Sequence, residues 1–150
     1  MFSATTEHAG RALMRLASLG RAGIVTGKQL SSSAGIPPNY LSKILWSLGH
    51  AGIRQATRGS GGGYRLRRDA GQIRLSEVVD LFEHQRWRKG CFLNGGQQCK
   101  VTPPCTAHTA WVECREVLDR FLDRTTIAAL ALSSQGPSNE PPKVKRRRTS

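Results

Sequence analysis

The stretch "IRQATRGSGGGYRLRR", residues 53–68, constrains the fold more than any other part of the chain. It reads as two short strands around a glycine-rich turn at Gly59–Gly63. A lone hairpin directly behind a set of helices is a wing, and the helices before it fit that reading.

Thr5-Thr6-Glu7 supplies a hydroxyl cap and a first-turn acid for an opening helix. Ala9, Ala12, Leu13, Leu16 and Ala17 then recur at helical spacing, and Gly20 and Gly23 end the run. Thr26 caps a short second helix, "GKQLSSSA", and Gly35 marks a turn. Pro38 suits a first helical position, where its missing N–H costs nothing. Leu41, Ile44, Leu45 and Leu48 make one apolar stripe, and Gly52 closes this third helix. Helix, short helix, turn, helix and hairpin together predict a winged helix-turn-helix.

A fourth helix is expected from Ser76, with Val78, Val79, Leu81 and Phe82 as its apolar set. Residues 86–105 have no periodicity and read as an ordered loop. A last helix resumes near Cys105 or Thr106. Its Trp111, Cys114, Leu118, Phe121 and Thr125 alternate in steps of three and four, the seam of a helix that packs on a partner helix. The expected class is mainly α with a small β wing. A winged helix-turn-helix domain spans 1–84, a cysteine loop and dimerisation helix 85–132, and a disordered basic tail 133–150.

Lys and Arg number 23 against 10 acids. Without the basic residues of 143–150 the excess is still +8, so it is not a property of the tail alone. A basic body predicts a nucleic-acid partner. No apolar run is long enough to span a membrane, and the first residues lack a secretory signal, so a cytoplasmic, nucleoid-associated protein is expected. There is no GxxxxGK[ST], HExxH or Ser/His/Asp arrangement, and an enzyme is not expected.

Major-groove base edges carry a readable donor and acceptor code. The start of the third helix offers Pro38, Asn39, Tyr40, Ser42 and Lys43 to it, with Thr26 at the preceding cap. The wing offers Arg54, Arg58, Gly59, Arg65, Arg67 and Arg68, with no acid between 54 and 68. Arginines beside flexible glycines suit a narrow minor groove. Double-stranded DNA is the expected partner.

Cys91, Cys99 and Cys105 lie in "RKGCFLNGGQQCKVTPPCTAH", with His108 three places after the last. Arg88, Lys89, Lys100 and a helix start at Cys105 favour thiolate. No close CxxC pair typical of zinc is present. Spacing leaves an iron–sulfur cluster, a zinc site and free thiols all open. His108 shares a helix face with Cys105.

"YLSKILWSLGHAGIRQATRGSGGGYRL", residues 40–66, resembles the signature of the Rrf-two family of bacterial winged-helix regulators, most specifically in "RGSGGGYRL". The resemblance runs from "EHAGRALMRLA" to about Leu132. It implies a homodimeric transcription regulator, a repressor on palindromic promoter sites. Its promoter binding would be controlled by a [4Fe–4S] or [2Fe–2S] cluster sensing iron, nitric oxide or redox state. Cys91, Cys99 and Cys105 coincide with the family's three-cysteine pattern. For the fourth ligand, His108 matches the histidine of the IscR type, and Glu7 matches the aspartate that the NsrR type takes from the partner subunit. Cys114 is a third candidate, and His8 is read as a surface or dimer-contact residue. The chain departs from the pattern at Glu7-His8-Ala9, where many members have Asp-Tyr-Ala. Ser42 and Lys43 stand at variable positions, so no operator sequence carries over. The alternatives are a zinc- or thiol-based DNA-binding regulator, and a cluster-carrier or electron-transfer protein.

Overall fold

In a computed structural model, residues 2–83, 90–91 and 106–133 are described. The elements run α1 (Ala4–Ser18), α2 (Gly27–Ala34), α3 (Pro38–His50), β1 (Arg54–Thr57) and β2 (Gly63–Leu66). A 3-10 turn (Ala70–Gln72) follows, then α4 (Leu75–Phe82), α5 (Ala107–Arg124) and α6 (Ile127–Ser133). The winged helix-turn-helix expected from the sequence is present, mostly helical with one two-stranded antiparallel wing. The cysteine loop apart from Gly90 and Cys91, and the tail beyond Ser133, lie outside the described residues.

Helix ends follow local chemistry. Thr26 caps α2, as the sequence suggests, and Gln29 in return accepts from the Thr26 N–H. Gly35 ends it in the left-handed conformation at φ 63°, which a side chain would disfavour. Pro38 is the first residue of α3. The cap of α1 is Ser3, whose hydroxyl accepts from the Thr6 N–H at 3.3 Å, so Thr5 and Thr6 are already helical. Two hydroxyls in a row gave the sequence no way to choose between register positions. Helix α4 likewise starts one residue earlier than Ser76.

The core joins α1 (Ala9, Ala12, Leu13, Leu16), α2 (Leu30) and α3 (Leu41, Ile44, Leu45, Leu48) with Ile53 and Val78. Burial of these side chains is what holds three short helices at fixed angles, since helices of this length are marginal alone. The wing pairs Arg54 with Leu66 and Thr57 with Gly63. It is tied to the body by a bridge in which Val25 and Tyr64 exchange both backbone hydrogen bonds, at 3.1 and 2.8 Å. A side chain at Gly63 would collide with the Val25 carbonyl, so the close approach requires glycine there.

The long final helix of the sequence reading is two helices. Helix α5 ends at Arg124, Thr125 turns extended, and α6 packs back on α1. Ile127 is fully buried in the same core. The junction is stitched by hydrogen bonds from Leu75 N–H to Thr125 O (2.8 Å) and from Ile127 N–H to Ile73 O (3.0 Å).

Candidate nucleic-acid interface and cysteine site

With Leu41, Ile44, Leu45 and Leu48 buried, α3 turns Asn39, Tyr40, Ser42 and Lys43 outward, all exposed. Pro38 is exposed at its tip, and Thr26 is exposed at the cap of α2 nearby. A groove of about 400 Å³ between α2, α3 and the wing is lined by Lys28, Ser31, Pro38, Ser42 and Tyr64 among others. Ser42 donates to the Pro38 carbonyl at 3.0 Å.

The wing arginines divide by role. Arg58 and Gly59 stand exposed at the turn, and Arg67 is exposed beyond β2. Arg65 is half-buried and donates to Gln55 Oε1 at 3.3 Å across the hairpin. Arg54 instead donates from Nε to the Leu45 carbonyl at 2.6 Å and lies over the Tyr64 ring, so it braces the end of α3. Arg68 is held by Glu77 at 2.7 Å. The sequence offered six wing residues to DNA; Arg54 and Arg68 are engaged within the fold.

Two features escaped the sequence reading. The first is charge segregation. Residues 8–68, the helix-turn-helix and wing, carry ten Lys or Arg and no acid, whereas residues 69–133 carry eight of each. The basic excess of the body therefore sits on the presumed DNA-reading half, and a regional count would have found it. The second is Trp46, 62% exposed on α3 and stacked on His50 with ring centroids 3.9 Å apart.

Cys91 is buried, and its thiol is free. The indole N–H of Trp111 donates to the Gly90 carbonyl at 2.9 Å, which holds Gly90-Cys91 against α5. Trp111 follows His108 by three residues and so shares its helix face. His108 Nδ1 is buried with no hydrogen-bond partner among the described residues. A buried, unsatisfied imidazole nitrogen calls for an explanation such as an absent ligand. Among the described residues no three metal-ligating side chains converge, but Cys99 and Cys105 lie outside them. The donors that are described, one buried thiol and one unpartnered imidazole on adjoining segments, fit an iron–sulfur ligand set.

Glu7 is exposed in the first turn of α1. His8 beside it meets Arg11 through Nδ1 and contacts the Tyr40 ring edge-on at 6.0 Å, so it faces α3 within its own protomer. Glu83, the last described residue before the loop, accepts from Ser3 N–H at 2.7 Å and from the Thr6 hydroxyl. Burial pushes the Glu83 carboxyl up, but these hydrogen bonds outweigh it and hold it below the usual range. Cys114 is exposed on α5. Beside it on the same face Val117 and Phe121 are 59% and 51% exposed, a large apolar strip for a single chain.

The family described as Rrf2, iron-dependent transcriptional regulator, matches residues 2–132. The chain is 34% identical over 125 residues to the HTH-type transcriptional regulator NsrR of Geobacillus kaustophilus, covering 83% of this chain and 85% of that one. It is 31% identical over 124 residues to the HTH-type transcriptional regulator IscR of Cronobacter sakazakii, covering 83% and 75%. Among solved structures, CymR, the global cysteine regulator of B. subtilis, superposes with a TM-score of 0.74 at 19% identity over 89% of this chain and 97% of that one. T. potens IscR superposes with 0.71 at 20% identity, over 89% and 88%.

Proposed function

Because the chain belongs to the Rrf2 family of transcriptional regulators, we propose that it is a homodimeric promoter-binding repressor governed by an iron–sulfur cluster. Cys91, Cys99, Cys105 and His108 would hold the cluster, with Glu7 of a partner protomer the rival fourth ligand. The observation that carries this reading is the Trp111–Gly90 hydrogen bond. It ties Gly90, the neighbour of the buried Cys91, to the helix that carries His108, whose Nδ1 is buried without a partner among the described residues. When bound, such a cluster supplies thiolate-held iron that responds to iron supply, nitric oxide or oxidants.

The protein's own residues do the rest. Asn39, Tyr40, Ser42 and Lys43 face the major groove, and Arg58, Gly59 and Arg65 the adjacent minor groove. The loop from Cys91 joins α4 of the reading domain to α5. A cluster held between α4 and α5 would therefore bias how two reading domains sit on half-sites about one DNA turn apart. A coupling of about 1–3 kcal/mol suffices for such a signal.

Native mass spectrometry of protein isolated without oxygen tests this directly. A dimer carrying iron and sulfide is expected, with Cys99→Ala keeping the dimer and losing both. Operator affinity should change by about fivefold or more when the iron is stripped. Protein without iron or sulfide that still binds DNA would turn the reading to the zinc- or thiol-based regulator. Bound cluster with no salt-dependent DNA binding would turn it to a carrier.

A further inference from the structure

An α-helix that reads DNA sets positions i, i+3, i+4 and i+7 against base edges. On α3 that stripe is Asn39, Ser42, Lys43 and Trp46, and all four are exposed. Asn39, Ser42 and Lys43 offer hydrogen bonds. Trp46 offers apolar ring area, 62% exposed, within residues 8–68, which carry ten Lys or Arg and no acid. An exposed indole has no place in the core of this domain, since Leu41, Ile44, Leu45 and Leu48 fill that side of α3. It is also not free to wander. His50 stacks on it, and His50 Nδ1 lies 3.0 Å from the Trp46 carbonyl, which fixes the imidazole one turn behind.

One base-pair feature in the major groove is apolar: the C5-methyl of thymine. We propose that Trp46 is a specificity-determining residue, reading a thymine methyl in each half-site, with His50 as the positioning residue that holds the indole toward the groove. The proposal rests on the DNA-binding reading above and adds a position and a base to it. A protein partner is the other occupant such a patch could take, but it would not need the exposed Asn39, Ser42 and Lys43 on the same stripe, in a segment without an acid from residue 8 to 68.

The test begins with selection of bound sequences by the wild-type dimer from randomised duplexes. Each thymine of the selected site is then replaced by uracil, which removes only the methyl. Wild type should lose about three- to fivefold in affinity at one position per half-site, the worth of about one buried methyl. Trp46→Gln should bind the thymine and uracil forms equally, while Trp46→Leu keeps part of the discrimination. His50→Ala should narrow the thymine-to-uracil ratio, and His50→Phe should restore it. The proposal is overturned if Trp46→Gln weakens every duplex equally, which marks a backbone contact. It is overturned too if Trp46→Gln changes no duplex, which leaves the patch to a protein partner. If wild type selects no sequence at all, the regulator reading falls, and this inference with it.

Discussion

Arg54 lies with its Nε on the Leu45 carbonyl and its guanidinium over Tyr64, while Arg58 stands exposed at the turn of the same hairpin. Their substitutions should separate. Arg54→Ala removes the hydrogen bond to the Leu45 carbonyl and the packing on Tyr64, and should cost about 1 kcal/mol in urea unfolding. Arg58→Ala should leave the unfolding curve in place and weaken operator binding. Two acids behave alike at this scale. Burial pushes Glu77 up, but hydrogen bonds from Arg68 and from the Arg74 N–H, with both cations nearby, hold it low. Glu83 is held low by Thr6 and Ser3. A carboxyl whose folded pKa is depressed adds stability that is complete above its unfolded value and fades as pH falls toward the folded one. Stability should therefore decline on acidification below the ordinary glutamate range, and Glu83→Gln should flatten that decline in a pH series of urea midpoints. Both groups are partly exposed to solvent, which screens them, so each contribution is small.

At the level of elements, the sequence was most legible where chemistry is local. Thr26, Gly35 and Pro38 marked both ends of α2 and the start of α3, because caps and turn residues act within a few positions. It was least legible where a neighbour distant in sequence decides. Glu83 selects Ser3 over Thr5 as the head of α1 from 80 residues away. The break at Thr125 exists because the Leu75 N–H donates to the Thr125 carbonyl and the Ile127 N–H to the Ile73 carbonyl, and apolar spacing runs straight through it. For the candidate site, residue types were visible but not their engagements: nothing local told Arg54 and Arg68 from Arg58 and Arg67. Cys114, Val117, Leu118 and Phe121 form the outward strip of α5, and a homodimer would cover it. Val117→Glu with Phe121→Glu should give a folded monomer by sedimentation, with helical content kept. A persisting dimer would move the interface elsewhere.

At the scale of the whole molecule, charge is divided rather than spread. All net positive charge between residues 8 and 133 belongs to the half that ends at Arg68. DNA affinity should fall steeply with salt, by about 0.9 log unit per log unit of salt for each phosphate neutralised. Lys28→Ala with Arg67→Ala, four cations across a dimer, should lower that slope by about 3 to 4.

The stitched junction at Thr125 also has a mechanical meaning. Helix α5 is a rod about 27 Å long, pinned at its lower end by Ile73 and Leu75, with His108 and Trp111 near the other. Pushing the upper end by about 2 Å tilts the rod by about 4° around that pivot. In a pair crossing through α5, a nudge too slight to disturb either core would swing the two heads apart like the jaws of tongs.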